Sequence, residues 1–301
     1  MTETQTSRAK VTVAICTYQR PMVVQCAETV CAQDCLDEHD VKIVVIDNDT
    51  TPSAKALIED VSKRTGREII YVHAPEKNIS IARNAALAAA VDSDWLAFID
   101  DDEYAPPNWL RVLLDHREGM QVVVGQCKSV YRADFPSWCA ICDFHSHNLE
   151  GRDLVNAYTA NVLLDMNYIR SHNFSFRLEL GQTGGEDTYL FHEIKRAGGA
   201  FVYRPDSEVS ETIETHRATF AWVRRRRFRS GQTHGMIVDS FYPKERKVLP
   251  LTAALKSALS FGMAGVYFWN TPKRLSWLGR AYLHLGALNY CINRQVLKEY
   301  G

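Results

Sequence analysis

Trp95-Leu96-Ala97-Phe98-Ile99-Asp100-Asp101-Asp102-Glu103 sets an unbroken apolar run directly ahead of four acids. A short apolar run of this kind reads as a buried strand, so the acids fall where the strand leaves the core. Carboxylates crowded together repel one another unless a cation, or a ligand carrying one, offsets them. In open parallel sheets the carboxyl end of the strands is also where ligands collect. A solvated acidic turn would explain the string. A divalent-metal, phosphate-ligand site explains it better, because a second acid pair, Glu186-Asp187, lies downstream.

Working outward, Val11 to Cys16 forms a strand ending in Thr17-Tyr18-Gln19-Arg20-Pro21, and a helix-like stretch follows it. Val41 to Ile46 is a second buried strand that ends at Asp47-Asn48-Asp49. A helix from about Ser53 to Lys63, a strand from Glu68 to His73 and a helix from Ile79 to Val91 lead back to the Trp95 strand. Strands alternating with helices imply a layered, mostly parallel α/β sheet with right-handed crossovers. Three polar loops then gather on one edge: Thr17 to Arg20, Asp47 to Asp49 and Asp100 to Glu103. Past Pro106-Pro107 the pattern is mixed. Val122 to Val124 reads as a strand, Tyr131 to Tyr158 as a long aromatic loop, Thr159 to Leu164 as a return to the sheet and Glu186 to Ala197 as a helix. Composition turns apolar near Phe241, which divides the chain into an α/β domain, 1–240, and a helical extension, 241–301.

The chain has 301 residues, 46% hydrophobic and 24% charged, with a net charge of −1. It is ordinary globular material, and its overall charge gives no reason to expect nucleic acid as a partner. Met1 to Lys10 is polar and lacks the apolar stretch of a secretory signal. With eight cysteines, that points to reduced thiols and a cytoplasmic location. Cys139-x-x-Cys142-x-x-His145-x-His147 offers four zinc-ligand types, but from one short stretch rather than two knuckles, so loop or core roles are favoured.

Asp47 and Asn48 end a strand where ribose hydroxyls or a base N–H are commonly received. Lys77 to Asn84 opens a helix whose Arg83 can reach a base or phosphate. Neither Gly-x-Gly-x-x-Gly nor Gly-x4-Gly-Lys-Ser/Thr occurs, which disfavours dinucleotide oxidoreductases and P-loop enzymes. In Gly184-Gly185-Glu186-Asp187-Thr188 the glycines let backbone approach a ligand, and an acid there can act as general base. Acids are also good helix starters. Five arginines between Arg224 and Arg229 suit pyrophosphate, and Trp138 belongs to an aromatic stretch suited to a sugar face or to core.

Ile15-Cys16-Thr17-Tyr18-x-Arg20-Pro21, Asp47-Asn48-Asp49, Asn78 to Asn84, Asp100-Asp101-Asp102 and Gly185-Glu186-Asp187, in that order, resemble family 2 glycosyltransferases of the GT-A fold. Gly184 to Thr188 and Arg226 to Gly235 look like the bacterial succinoglycan-type exopolysaccharide glucosyltransferases, which elongate a lipid-linked oligosaccharide. The likeness spans roughly Val11 to Gly235 and is specific as a set. It implies that Thr17, Asp47, Asn48, Arg83, Asp100 and Asp101 hold the nucleotide-sugar donor, UDP-glucose. Asp102 would bind Mg²⁺ or Mn²⁺ on the diphosphate, and Asp187 would deprotonate the acceptor hydroxyl. Glu186, Trp138, Arg226, Arg229 and His234 would serve acceptor or pyrophosphate. The family often places a histidine beside an acid after the next strand; Val209-Ser210-Glu211 stands there, with Glu211, His216 or His234 as substitutes.

One base and one metal-bound leaving group imply in-line displacement with inversion at the anomeric carbon. The competing functions are a sugar nucleotidyltransferase, which should carry a glycine-rich basic loop where Thr17 to Pro21 stands, and a non-catalytic sugar-binding module. In the tail, Lys256 interrupts the apolar run, and Ser257 to Trp269 falls short of the roughly 20 residues that span a bilayer. Amphipathic helices on the inner face of the cytoplasmic membrane would suit a polyprenyl-diphosphate-linked acceptor. Helices packed on the protein, or a dimer contact, would give the same pattern.

Overall fold

The computed structural model describes residues 8–151 and 154–298. The polar start, 1–7, and the last three residues of the extension lie outside them. Along the chain run β1 (Lys10–Thr17), α1 (Val23–Cys31), β2 (Asp40–Asp47), α2 (Lys55–Thr65), β3 (Ile69–His73), α3 (Ile79–Ala89) and β4 (Trp95–Asp100). Next come β5 (Glu103–Tyr104), α4 (Trp109–Asp115), β6 (Val122–Val130), α5 (Trp138–Cys142), β7 (Asn161–Asp165), α6 (Met166–Ser171), α7 (Glu186–Arg196) and β8 (Phe201–Thr212). Three long helices close the order: α8 (Phe220–Phe241), α9 (Pro243–Val266) and α10 (Thr271–Asn293).

Two compact units result. The first takes in the chain up to Lys128 with His147–Gln182 and Glu186–Glu211. It holds an eight-stranded sheet in the order β3-β2-β1-β4-β7-β6-β8-β5. The β3-β2-β1-β4 half is parallel, as expected where the apolar runs of β1, β2 and β4 are covered on both faces. Beyond β4, β7 lies antiparallel to both β4 and β6, and β5 pairs antiparallel with β8. One apolar layer joins Val13, Ile15, Val45 and Leu113. The other joins Val44, Ile46, Phe98 and Phe191.

Register fixes the functional edge. Thr17 stands opposite Asp47, and Cys16 opposite Asp100. Three strands therefore end side by side, with their polar loops adjoining. The Asn78 side chain caps α3 by accepting the Ser80 N–H at 3.0 Å, which begins that helix where the pattern placed it.

The second unit comprises Ser129–Ser146, Thr183–Gly185 and the chain from Thr212 onward. The aromatic stretch from Tyr131 is not all loop, because Trp138–Cys142 forms α5 and Trp138 packs against Phe144 and Phe220. Helices α8 and α10 approach so closely that a β-carbon at Gly231 or Gly286 would collide with the facing backbone. The compositional shift at Phe241 coincides with the joint between α8 and α9, inside this unit.

Candidate active site

The acids at the end of β4 do not splay into solvent. Asp101 and Asp102 are 4% and 7% exposed, a costly place for charge without partners. Arg20 supplies one: its Nη1 donates to Asp101 at 2.9 Å and to Asp102 at 2.7 Å. The Thr17 hydroxyl donates to the second Asp101 oxygen at 2.7 Å. Burial pushes the Asp101 carboxyl up to about 7, against the pull of Arg20. Burial also raises Asp100, against the pull of Arg83.

Beneath the cluster, buried Glu103 accepts the Asp100 N–H at 3.1 Å. Burial, with Asp100 and Asp102 beside it, holds Glu103 well above the usual carboxylate range. The shift favours the protonated form, which braces the strand end without adding a charge.

Asp47 is fully buried, and its oxygens shape its own loop. One accepts the Asp49 N–H at 3.0 Å, and the other accepts the Ala54 N–H at 2.8 Å and the Tyr71 hydroxyl at 2.7 Å. The Asn48 amide donates to the Ala74 carbonyl at 2.8 Å and also to that of Glu76, while its oxygen accepts the Asn78 N–H at 2.9 Å. Both residues stand at the carboxyl end of the parallel strands and set the loops there.

Arg83 reaches from α3 to the start of α7, where it forms a buried ion pair with Glu186. It lies 5.8 Å over the Phe176 ring. Burial alone would lower the Arg83 pKa, but the charges of Glu186, Asp187 and Asp100 hold it above its ordinary value. Those four groups therefore share one electrostatic neighbourhood. The chain enters α7 through Gly184 and Gly185, at φ +75° and +92°, a conformation L side chains rarely adopt. Asp187 is half-buried, and its Oδ1 accepts the Thr188 N–H at 2.6 Å and the Thr188 hydroxyl at 3.3 Å. Among the described residues no hydrogen bond falls on Oδ2.

A divalent cation fits this donor set. Hard carboxylate oxygens suit Mg²⁺ or Mn²⁺, and the Arg20 guanidinium already occupies the position of a positive charge between Asp101 and Asp102. Glu211 stands opposite Glu103 in the β5–β8 ladder, on the strand beside this turn. Among the described residues no three His, Cys, Asp or Glu side chains form a closed metal cage. That suits an ion held by one or two carboxylates and by substrate phosphates. In the stretch Cys139 to His147, Cys142 donates to the Pro272 carbonyl at 3.3 Å, and His145 stacks on Trp222.

The remaining expected residues, Trp138, Arg226, Arg229 and His234, belong to the second unit. Arg229 is buried and donates to the Thr183 carbonyl at 2.8 Å. Arg226 lies over Trp222, Arg227 over Phe144 and Arg224 over Tyr282, while His234 is exposed. Successive residues of a helix turn by about 100°, so the arginines radiate around α8 and do not form one claw. Arg20 and Glu103 stand in the polar loops the pattern marked, and Tyr71 in the third strand, but the pattern gave none of them its partner. Arg20 had a signal, since an arginine in the loop beside three buried acids is the nearest available cation.

The glycosyl transferase family 2 model matches residues 12–170. The chain is 34% identical over 295 residues to the succinoglycan biosynthesis protein ExoM of Rhizobium meliloti, covering 96% of this chain and 95% of the relative. It is 23% identical over 260 residues to a glucosyl-dolichyl phosphate glucuronosyltransferase of Haloferax volcanii, covering 78% and 79%. Among solved structures, the mannosyltransferase PcManGT from Pyrobaculum calidifontis, in complex with GDP-Man and Mn²⁺, shares the fold at a TM-score of 0.68 and 17% identity, over 97% of this chain and 89% of that one. TarS 1–349 of S. aureus, in complex with UDP, does so at 0.53 and 14%, over 95% and 92%. The fold is thus GT-A, with helices following the sheet domain, and the chain is an enzyme belonging to glycosyltransferase family 2.

Proposed function

We propose that the chain is an inverting, metal-dependent hexosyltransferase. It moves glucose from UDP-glucose to a saccharide acceptor linked to polyprenyl diphosphate, in bacterial surface or exopolysaccharide synthesis. The observation that carries this reading is the pair of buried acids, Asp101 and Asp102, held by one arginine at the ligand edge of the sheet. The similarity to ExoM, named for succinoglycan biosynthesis, supports the pathway class.

Asp102 would hold the cation, with Glu211 as the second candidate donor. When bound, the cation neutralises charge growing on the departing diphosphate. Thr17 and Asp101 position the donor at the ends of β1 and β4. Arg83 fixes Glu186, and so fixes the first turn of the helix that carries Asp187. Asp187 takes the proton of the acceptor hydroxyl on Oδ2. The hydroxyl oxygen bonds to the anomeric carbon, the bond from that carbon to the phosphate oxygen breaks, and UDP leaves with both electrons. One base on one face gives inversion. The 241–301 extension is assigned to the membrane side of the enzyme, and with it a peripheral position on the inner face of the cytoplasmic membrane.

A panel of UDP- and GDP-sugars, each with Mg²⁺, Mn²⁺ or EDTA, tests the reading through nucleotide release and label transfer to a lipid-linked oligosaccharide. UDP-glucose with metal should be preferred, and NMR of the product should show the inverted anomer. Full activity in EDTA, or a retained anomer, would sink the mechanism. Preference for another sugar would change only the donor.

A further inference from the structure

Helix α9 is built inside out. The residues it buries are small or polar: Ala253, Ser257, Ser260 and Ala264. Ser257 donates its hydroxyl to the Ala281 carbonyl of α10 at 3.1 Å. The large apolar residues point away. Val248, Leu251, Leu255, Leu259 and Val266 recur at intervals that line one face, and each is 54–66% exposed. Phe268 and Trp269, 65% and 68% exposed, continue the apolar surface past the end of the helix. A soluble helix does the reverse. Small residues turned toward neighbouring helices, with large apolar residues outward, are the arrangement of helices whose outer solvent is lipid.

Charge decides how the lipid is met. From Pro243 to Lys298 the chain carries nine lysines and arginines against one acid, Glu245. Arg246 and Arg294 are paired with Asp239, while Lys244, Lys247 and Lys256 are exposed beside the apolar stripe. By length and composition alone α9 could cross a bilayer. Its companion α10 could not easily follow, since Lys273, Arg274, Arg280 and His284 lie along it. Basic flanks on an apolar stripe suit a helix lying in the headgroup layer of an anionic membrane.

We infer that α9 seats in the plane of an anionic lipid surface, with Leu251, Leu255 and Leu259 at the acyl boundary and Trp269 anchoring its end. This gives residues and lipid charge to the membrane position assigned above, and it rests on that reading only for its biological purpose. The surface itself stands on α9.

The test is sedimentation of the full chain with phosphatidylcholine vesicles, with and without phosphatidylglycerol, in the absence of any sugar nucleotide. Failure here is therefore separate from failure of the glycosyl-transfer reading. The chain should sediment with anionic vesicles, less with neutral ones and less at raised salt. Leu255→Glu with Leu259→Glu, at exposed positions, should weaken binding at least about 10-fold with an unchanged thermal melt. Lys256→Glu should weaken binding to anionic vesicles alone, and it decides the matter if the double variant misfolds. Four results would overturn the inference: no binding by the wild type, no loss in the variants, a dimer in solution that the same changes dissolve, or resistance to alkaline carbonate, which would mean that α9 spans.

Discussion

Arg83 and Glu186 form an ion pair in the buried heart of the sheet domain, 103 residues apart in sequence. The pair ties α3 to the first turn of α7 and thereby fixes the neighbour of Glu186, Asp187. Two adjacent acids thus divide their work. Glu186 is held by Arg83, and on the proposed mechanism Asp187 is the one left to accept a proton.

Asp187→Asn and Glu186→Gln should therefore fail in different ways. Asp187→Asn keeps shape but cannot accept a proton. Donor affinity should hold within a few-fold while turnover falls at least about 10²-fold. Glu186→Gln leaves the Arg83 charge buried without its counter-ion and should cost about 3 kcal/mol of stability. Calorimetry, initial rates and urea unfolding on both variants separate the two roles. Should Glu186→Gln unfold like the wild type and lose turnover instead, the assignment is reversed.

Removal of Asp102 should erase the benefit of metal. In the wild type, Mn²⁺ should tighten UDP-sugar binding by at least about 10-fold, if Asp102 holds a cation that offsets the diphosphate charge. In Asp102→Ala, titrations with Mn²⁺ and with EDTA should coincide. A persistent metal effect would move the ion to another acid.

Donor affinity should rise with pH. The diphosphate of a nucleotide sugar stays fully ionised above pH 6, so the titrating group is on the protein. Asp101, pushed up to about 7 by burial, is protonated for most molecules at pH 6 and ionised for most at pH 8. If the donor complex needs the carboxylate, affinity should grow about 10-fold across that window and level off above it. Asp101→Asn should flatten the profile, and an unaltered profile in that variant would assign the titration elsewhere.

Glu103 should make stability depend on pH. Its pKa is raised in the folded state by burial and by its acidic neighbours. The folded protein therefore holds this proton more tightly than the unfolded chain. The resulting stability is full below about pH 4.5 and declines as pH rises toward the folded-state pKa. Glu103→Gln keeps the shape and removes the titration, so its stability relative to wild type should improve from pH 5 to pH 8. Glu103→Ala should cost about 2–4 kcal/mol through a cavity and an orphaned Asp100 N–H. Denaturant melts at the two pH values measure both.

The parallel half of the sheet was legible because β1, β2 and β4 are buried on both faces and so read as unbroken apolar runs. Asp47 and Asp100 to Asp102 were legible for a related reason, since they end such runs. Glu103–Tyr104 has no period to detect, and α5, five residues long, is too short to be specified by its own sequence. The ion pairs were hidden because they are facts of topology. Nothing local joins Arg20 to Asp101, 81 residues on, or Arg83 to Glu186. The arginine run showed its charge but not its directions, which the helical turn sets.

The antiparallel seat of β7 beside β4 also bears on synthesis. The Phe98 position of β4 faces Val162, and that of Ile99 faces Asn161. As the chain leaves the ribosome, one side of β4 therefore stays bare until residues some sixty positions later emerge, a wait of about 3–13 s at ordinary elongation rates. An apolar strand with an open edge is an aggregation hazard during that interval. Fragments that stop short of Asn161 would hold it open permanently, and a piece reaching past Asp165 should aggregate less than one that does not.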